Sequence, residues 1–580
     1  MINKTNYTKK NITKIKPKEI YNNKKLKIMS LGGLEEVGRN MSVIEYEDEI
    51  IIIDMGLQFP EEDMPGIDYI IPNIDYFKGK EDHIKSVIIT HGHMDHIGGI
   101  PHIMGRIGNP PMFMGKLTAG LVRKRCEEFK LCPVLNITEI NEKTRLSIGK
   151  FFVVEFLRVN HSIPDSFAIV IKTPLGKIIH TGDFKIDYSP VNDKPADLNR
   201  IAQLGGEGIL LLMSDSTDAT KPGYQVSESS IGDEIDKLFK KIHGRAIIGT
   251  FASQLSRIQK IFDLAKKHGR RVNLQGRSMN NNIEIAHKIG YLKFNSRILA
   301  NNNELKNIPD DKILILGTGA QGENNAFLVR VVNGDHRSIN LKKGDTVIFS
   351  SSVIPGNERS IQSLKDMIVR QGAHIIHYQM MDVHAGGHAK QEDLKLMMRL
   401  LKPEYFMPIE ANHYMLKAHA ELAEQVGIPK NKIFVADNGQ IIEFSKQENN
   451  IIGKLTKNKA NSNYVMVDGL GVGDISNIVL RDRRVMAEDG MIVVIATIDS
   501  KTGDPIGNPD IISRGFVYMK ENRALIEKTR MKVKKIVKDN DSNTPADDDY
   551  IKNKIRNEIG KFLFSQTKRR PMVLPVVIKV

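Results

Sequence analysis

The chain has 580 residues, of which 41% are hydrophobic and 26% are charged, and its net charge at pH 7 is +15. This length exceeds what one hydrophobic core supports, so we expect about three domains. No apolar stretch approaches the ~20 residues of a membrane span, which excludes a membrane protein. Two cysteines are too few for a disulfide framework, which indicates a cytoplasmic location.

The positive charge is compatible with a polyanionic partner such as nucleic acid. A basic chain without such a partner remains an equal alternative at this point. Residues 1–25 carry eight lysines and one glutamate. Because they include few apolar residues, they are expected to form a basic, disordered tail.

From residue 26 to residue 54 the pattern is a strand at 26–30, a glycine-rich turn at 31–38, and a polar–apolar alternation that ends in four isoleucines and Asp54. Glycines at a strand end let the backbone come close to a site. Asp54 ends a run of four isoleucines, and a carboxylate in such a position needs polar partners. We expect Asp54 to orient a nearby histidine rather than to bind a metal itself.

The segment His91-Gly-His93-Met-Asp95-His96 follows a buried-strand pattern at residues 86–90. Imidazole and carboxylate groups both bind zinc-like divalent ions. In an extended chain His91, His93 and Asp95 project to one side, and His96 follows as the chain turns. The spacing therefore predicts two groups of ligands for two adjacent ions. A solvated polar loop is the alternative.

Two further polar residues follow predicted strands. His161 comes after a strand at residues 151–157, and Asp183 follows the hairpin at 168–180 in the segment Thr-Gly-Asp-Phe. A lone histidine at a strand end is more often structural. However, the ends of strands from separate hairpins converge at one edge of a sheet. His161 and Asp183 together with residues 91–96 therefore indicate a metal site more strongly than any one of these residues does.

From residue 208 onward, strand and helix patterns alternate, which predicts a parallel sheet covered by helices. This second α/β domain is inserted before the first domain is complete. Several of its strands end in loops of small residues, including Ser351 and Ser352. Backbone N–H groups in such loops suit phosphate oxygens, although plain turns are the commoner explanation.

These features resemble the metallo-β-lactamase superfamily. The segment Asp215-Ser-Thr after a strand, the inserted α/β domain and His384-Ala-Gly-Gly-His388-Ala resemble its β-CASP branch. Within that branch, the chain from about residue 26 to its end resembles the ribonuclease J family. That likeness is carried by Leu31-Gly-Gly-Leu-Glu-Glu-Val-Gly-Arg-Asn40, His91-Gly-His-Met-Asp-His-Ile-Gly-Gly99, Thr181-Gly-Asp-Phe184, Gly276-Arg-Ser-Met279 and Gly317-Thr-Gly-Ala-Gln-Gly-Glu323.

The resemblance implies an α/β fold: a metallo-β-lactamase αββα sandwich with an inserted β-CASP α/β domain and a small α+β C-terminal domain. The expected divisions are the tail at 1–25, the sandwich at 26–226 and 385–450, the insertion at 227–384, a linker at 451–465 and the C-terminal domain at 466–580. In the last region we predict strands at 484–487, 491–499 and 575–580 and helices at 523–538 and 550–567. By resemblance this domain acts in oligomerisation.

The resemblance also implies two divalent ions per subunit, zinc with manganese or magnesium as alternatives. Asp183 bridges the ions, and Asp215 and His388 handle protons. The expected ligands of one ion are His91, His93 and His161, and those of the other are Asp95 and His96.

The chain departs from the family pattern at two positions. Gly386 stands where many members have a serine, so a hydroxyl that would contact phosphate is missing while the backbone N–H remains. Glu410 stands where many members have a histidine that binds the second ion. Glutamate can still bind through oxygen and favours harder ions. Alternatively, His413 substitutes for the missing histidine if a helix starts there.

The implied function is 5′→3′ exonuclease activity on 5′-monophosphorylated, single-stranded RNA, together with endonuclease activity, in RNA maturation and mRNA decay. The expected pocket for the 5′-phosphate comprises His384, Ala385, Gly386, Gly387, His388, Ser351 and Ser352. Three alternatives remain: a DNA nuclease of the same branch, a catalytically weak RNA-binding partner subunit and, ranked low, a small-molecule metallohydrolase. We expect a homodimer or homotetramer, with a paralogue or RNA-decay machinery as further partners.

Overall fold

The computed structural model describes residues 24–61, 63–191, 193–319, 326–351, 357–377, 385–469, 471–473, 477–500, 502, 504–516, 522–539 and 548–580. They fall into two compact units. The first contains residues up to 58 and residues 71–464, and the second contains residues 59–70 and 465–580. A basic tail was expected at residues 1–25, of which residues 1–23 lie outside the described residues. Lys25 belongs to the first strand rather than to a tail.

The first unit begins with strands that build two sheets and with short helices between them. Its elements are β1 Lys25–Gly32, β2 Met41–Tyr46, β3 Glu49–Ile53, β4 Tyr69–Ile71, β5 Ile84–Ile88, β6 Met112–Gly115, β7 Ile137–Ile140, β8 Arg145–Ile148, β9 Phe152–Val159, β10 Ser166–Thr173, β11 Gly176–His180, β12 Leu211–Asp215, α1 Met94–Ile97, α2 Ile100–Ile103, α3 Lys116–Cys126 and α4 Leu198–Gly206. Of these, β4 lies at the boundary between the two units, since Tyr69 and Ile70 belong to the second unit.

The chain then forms an inserted α/β layer whose five strands are all parallel, in the order β14-β15-β13-β16-β17. Its elements are α5 Glu228–Phe239, β13 Ala246–Gly249, α6 Leu255–Lys267, β14 Arg271–Leu274, α7 Arg277–Lys288, β15 Ile313–Gly317, α8 Phe327–Val332, β16 Thr346–Phe349, α9 Glu358–Arg370 and β17 His374–His377. Because the strands are parallel, the carboxyl ends of β13, β15 and β16 lie side by side at one edge of this sheet.

The chain returns to complete both sheets of the sandwich. The returning elements are α10 Gln391–Leu401, β18 Tyr405–Ile409, α11 His413–Gln425, β19 Gln440–Gln447 and β20 Asn450–Lys459. The sheet orders are β20-β19-β1-β2-β3-β5-β6-β7 and β18-β12-β11-β10-β9-β8. The apolar residues of β3, which include Ile51 and Ile53, pack with Ile169 and Ile171 of β10 in one core between the sheets. Helices α4 and α10 cover the outer face of the six-stranded sheet.

The second unit has a mixed α/β structure. Its later elements are β21 Val465–Asp468, β22 Gly471–Val472, α12 Asn477–Asp489, β23 Met491–Ile498, β24 Pro505–Arg514, α13 Arg523–Lys538, α14 Asp548–Thr567 and β25 Met572–Lys579. In the sheet β24-β23-β25, one face packs against α13 and α14 around an apolar core. Among the described helices, none combines the length and apolar character of a membrane-spanning segment.

Three local features differ from the sequence-based expectations. Residues 451–459, which were expected to be the first part of a linker, belong to β20 because they pair antiparallel with β19. Residues 484–487 are helical within α12 instead of a strand, and β24 was not predicted. The two cysteines, Cys126 and Cys132, are joined in a disulfide that closes a short loop at the end of α3. The αββα sandwich with an inserted parallel layer confirms the predicted fold class.

Candidate metal centre and active site

Three imidazole nitrogens meet at the edge where β5 and β9 end. His93 Nδ1 lies 3.0 Å from His91 Nε2 and 3.0 Å from His161 Nε2. Burial lowers the pKa of His93 to about 4, and it also holds the pKa values of His91 and His161 well below their usual range. A neutral imidazole can offer one nitrogen lone pair to a metal, and three such nitrogens this close together can bind the same ion. The group therefore fits a divalent ion.

Asp183 faces this group and a second one with different oxygens. Its Oδ2 lies 3.6 Å from His91 Nε2 and 3.5 Å from His161 Nε2, whereas its Oδ1 lies 3.4 Å from His96 Nε2. Burial opposes its charge, but His96 and His388 hold the pKa of Asp183 well below its usual range. A carboxylate shared in this way can bridge two ions.

The second group is formed mainly by α1 and by the end of β18. His96 Nε2 lies 3.5 Å from Asp95 Oδ2, and Asp95 sits in the first turn of α1 rather than in an extended stretch. Glu410 belongs to a buried set of possible metal ligands with His96 and Asp54. Within the described part of the chain, neither carboxylate oxygen of Glu410 accepts a hydrogen bond. Burial and the facing Asp183 raise the pKa of Glu410 well above its usual range.

Asp54 lies behind His96, on the side away from Asp183. Its Oδ2 accepts a hydrogen bond from His96 Nδ1 at 2.7 Å, and its Oδ1 accepts one from the Thr90 backbone N–H at 2.8 Å. This contact directs Nε2 of His96 toward Asp183 and Asp95. Asp54 therefore restricts the orientation of the His96 ring.

His388 and Asp215 form a pair beside the three-histidine group. His388 Nδ1 donates to Asp215 Oδ2 at 2.9 Å, and Asp215 Oδ1 accepts from the Thr217 backbone N–H. Although burial opposes the charged imidazole, the carboxylates of Asp215 and Asp183 raise the pKa of His388 to about 10. Asp215 is fully inside the site, whereas the His388 side chain is 25% exposed and can reach a substrate.

The loop before His388 packs directly against a candidate ligand. His161 Nδ1 donates to the Gly387 carbonyl at 2.7 Å, which leaves His161 Nε2 free to bind a metal. A Cβ on Gly387 would lie 2.6 Å from His161 Cε1, so no larger residue fits without displacing that ring. The carbonyl of His388 accepts a hydrogen bond from Gln225 Nε2. Ala385 is buried in the same loop.

Of the remaining pocket residues, Ser351 is buried at the end of β16, and its hydroxyl has no partner among the described residues. His384 and Ser352 lie outside the described residues. The alternative ligand His413 does begin α11, as required, but its side chain is half-exposed and lies 3.7 Å from Glu35. It therefore does not join His96, and the suggestion that it replaces the family histidine is wrong.

Three polar residues of the site were missed in the sequence. His180 Nε2 lies 3.8 Å from Glu410, Asn40 Nδ2 lies 3.0 Å from His96 Nε2, and Ser162 Oγ lies 3.5 Å from His93 Nε2. His180 and Ser162 are sequence neighbours of predicted site residues, and Asn40 ends the glycine-rich segment. Their position directly beside those motifs is the signal that could have identified them.

A sandwich of two mixed sheets, with His/Asp groups at its strand ends and an inserted parallel layer, defines a metal-dependent hydrolase of the metallo-β-lactamase class.

Four segments of the chain match models of known protein families. Residues 34–222 match the metallo-beta-lactamase superfamily, and residues 373–436 match the Zn-dependent metallo-hydrolase RNA specificity domain. Residues 243–368 match the ribonuclease J beta-CASP domain, and residues 478–580 match the ribonuclease J C-terminal domain.

The chain is similar to curated proteins along nearly its whole length. It is 43% identical to ribonuclease J 1 of Streptococcus pyogenes, with 95% of this chain and 97% of that protein covered. It is 40% identical to ribonuclease J of Thermus thermophilus, with 96% and 95% covered. It is 36% identical to ribonuclease J2 of Bacillus subtilis, with 96% and 99% covered. The chain therefore belongs to the ribonuclease J family, as its motifs predicted.

Among solved structures, the fold is shared with a protein of unknown function from Enterococcus faecalis. The TM-score is 0.52 at 16% sequence identity, and the match covers 72% of this chain and 100% of that one. This likeness concerns the fold alone.

Proposed function

We propose that this protein is a metal-dependent ribonuclease that removes nucleotides from 5′-monophosphorylated, single-stranded RNA in the 5′→3′ direction and also cuts RNA internally. The observation that carries the proposal is the pair His388–Asp215 beside two sets of metal-binding side chains joined by Asp183. Membership of the ribonuclease J family supports RNA as the polymer. Maturation and decay of RNA in the cytoplasm are the corresponding roles.

The proposed centre holds two divalent ions per subunit. His91, His93 and His161 would hold one, Asp95, His96 and Glu410 the other, and Asp183 both. Ions held there supply Lewis-acid activation of water and neutralise charge on the phosphodiester. The nitrogen-rich set suits zinc. The second set has three carboxylates and one imidazole, so manganese or magnesium is the alternative there.

His388 and Asp215 would manage the proton of the leaving group. The Nδ1–H of His388 is held by Asp215, which fixes the ring and directs the opposite nitrogen outward. From that position the imidazolium can donate a proton to the departing 3′-oxygen. Since Asp215 is also anchored by Thr217, the pair keeps its orientation between turnovers.

A pocket for the 5′-phosphate is supported by the carboxyl edge of the inserted sheet. The last residues of β13, β15 and β16 lie side by side there, and ligands of open α/β sheets bind at such an edge. The buried hydroxyl of Ser351, which has no hydrogen-bond partner among the described residues, could donate to a phosphate oxygen. Together with residues 384–388, it would hold the end of the RNA at a constant distance from the metals.

Incubation with end-labelled RNA tests the proposal. We expect mononucleotides from 5′-monophosphorylated RNA, little exonuclease product from 5′-triphosphorylated RNA, and no cleavage after chelation until divalent ions are restored. Internal fragments alone, regardless of the 5′ group, would contradict end recognition. Cleavage of single-stranded DNA at the same rate would favour the DNA-nuclease alternative. If the chain is instead a partner subunit without catalytic activity, His93→Ala should leave its behaviour in the RNA cleavage assay unchanged.

Self-association is supported by an open face of the sheet in the second unit. Val493 of β23 pairs with Ile512 of β24 and with Leu574 of β25, and Ile495 pairs with Val576. Ile512, Leu574 and Val576 are exposed on the face opposite to α13 and α14. A continuous apolar sheet face of this kind favours a partner surface, and a homodimer or homotetramer is our proposal.

A further inference from the structure

A buried ion pair connects the proposed phosphate pocket with the start of the inserted layer. Arg257 of α6 donates to both carboxylate oxygens of Glu228, at 3.0 Å from Nε and 2.6 Å from Nη2. Arg257 is 1% exposed and Glu228 is 5% exposed. Such a fork-shaped pair fixes both partners in direction as well as in distance.

The same guanidinium also holds the end of β16. Arg257 Nη1 donates to the Ser350 carbonyl at 2.9 Å and to the Ser350 hydroxyl at 3.1 Å. Ser350 directly precedes Ser351, whose buried hydroxyl we assign to the phosphate pocket. The position of that hydroxyl therefore depends on Arg257.

Glu228 in turn is fixed to the sandwich. Its backbone N–H donates to Asp187 Oδ2 at 3.2 Å, and the hydroxyl of Ser227 donates to Asp187 Oδ1 at 2.6 Å. Asp187 is buried, with Lys185 Nζ 3.3 Å away, and lies four residues after the metal-facing Asp183. Consecutive polar contacts thus lead from the metal-bearing loop to the pocket-bearing loop.

We propose that Arg257 and Glu228 are positioning residues that set the distance between the 5′-phosphate pocket and the metal centre. This inference rests on the proposed function. In exonuclease action the RNA must occupy the 5′-phosphate pocket and the metal centre at the same time, because the bound 5′ end places the first phosphodiester at the metals. Internal cutting needs only the metal centre. Loss of the pair should therefore impair end-dependent cleavage selectively.

The sharpest test is the double variant Glu228→Gln/Arg257→Met, because it removes the pair without leaving an unpaired buried charge. We expect its KM for 5′-monophosphorylated RNA to rise roughly tenfold or more, as loss of charge-assisted hydrogen bonds would cause. Internal cleavage of a circular RNA of the same sequence should keep its rate, and the metal content should not change. Arg257→Lys should recover part of the lost affinity.

The same sheet offers a matched control. Arg245 and Asp345 form a buried fork at the opposite edge, before β13 and β16, with distances of 2.9 and 2.6 Å. Arg245→Met/Asp345→Asn should leave the ratio of end-dependent to circular-RNA cleavage as in the wild type. The inference is overturned if Glu228→Gln/Arg257→Met retains the wild-type ratio or slows both reactions equally. A wild type that ignores the 5′ group would overturn the proposed function, and this inference with it.

Discussion

At the scale of single residues, Glu410 is one of the two positions at which the sequence departs from the expected family pattern. It directly follows β18 with a positive φ of 61°, its carboxylate is buried, and Asp183 lies opposite. Two facing, buried carboxylates are costly without a cation between them. A divalent metal ion between the two carboxylates would satisfy this requirement.

We predict that Glu410→Ala reduces bound metal from two ions to one per subunit, as measured by elemental analysis after dialysis. Glu410→His should shift the second site from manganese toward zinc, because imidazole is the softer ligand. The control is His413→Ala, three residues away and half-exposed, which should keep both ions. Unchanged stoichiometry in Glu410→Ala would remove this side chain from the centre.

His388 permits a second prediction at this scale. His388→Ala should lower kcat by roughly 10²–10⁴, the usual contribution of a general acid, while the metal content stays at the wild-type level. Asp215→Asn should have a smaller effect in the same direction, since it weakens the orientation of the ring. Single-turnover cleavage with parallel elemental analysis measures both quantities. A kcat within a factor of about two of the wild type would exclude His388 from proton transfer.

At the scale of elements, the loop at residues 385–389 depends on two glycines with different neighbours. A Cβ on Gly387 would meet the His161 ring at 2.6 Å, whereas a Cβ on Gly386 would meet the flexible end of Gln225 at 2.7 Å. Gly387→Ala should therefore weaken metal binding about 10–100-fold, the usual effect of displacing a group behind a ligand. Gly386→Ala should leave it nearly unchanged, and equal affinities in a metal titration would contradict the prediction.

The contact between α3 and the inserted layer predicts a pH effect on stability. Asp165 accepts a hydrogen bond from the Leu117 N–H at 2.8 Å and one from the Tyr291 hydroxyl. Burial outweighs these bonds and raises the pKa of Asp165 to about 6, from an ordinary value of 3.8. A raised folded-state pKa favours folding below the unfolded value, and this advantage is lost as the pH rises through about 6.

Asp165→Asn removes this titration and keeps an acceptor for Leu117. Compared with the wild type, the variant should therefore gain roughly 2–3 kcal/mol between pH 4 and pH 7, from a shift of about two pKa units. Urea unfolding of both proteins across this range measures the difference. Parallel stability profiles would show that Asp165 ionises normally in the folded protein.

At the scale of the whole molecule, the open sheet face of the second unit governs assembly in our proposal. Val576→Lys places a charge in the middle of this face and should convert the oligomer to monomers in light scattering, because a charge cannot be buried there unpaired. Met531→Lys, on the exposed side of α13, is the control and should not change the mass. An unchanged oligomer in Val576→Lys would move the interface elsewhere.

The sequence by itself determined the local parts of this molecule. Its apolar periodicity predicted α10 and α13 with their observed bounds, since a helix is specified by neighbours three and four residues apart. Its dense motif at residues 91–96 predicted metal ligands, and the motifs together predicted the family. Asp54 was assigned an orienting role because a carboxylate after four isoleucines must find a partner.

Only the tertiary structure decided which distant residues meet. In the structure, the two carboxylate oxygens of Asp183 face different groups of candidate metal ligands. His413 lies away from the site, and β20 pairs with β19 in the eight-stranded sheet. Pairing of strands and convergence of strand ends depend on contacts between residues far apart in the chain. Local apolar periodicity does not contain information about those contacts. For this reason residues 484–487 were predicted as a strand, although they form part of α12.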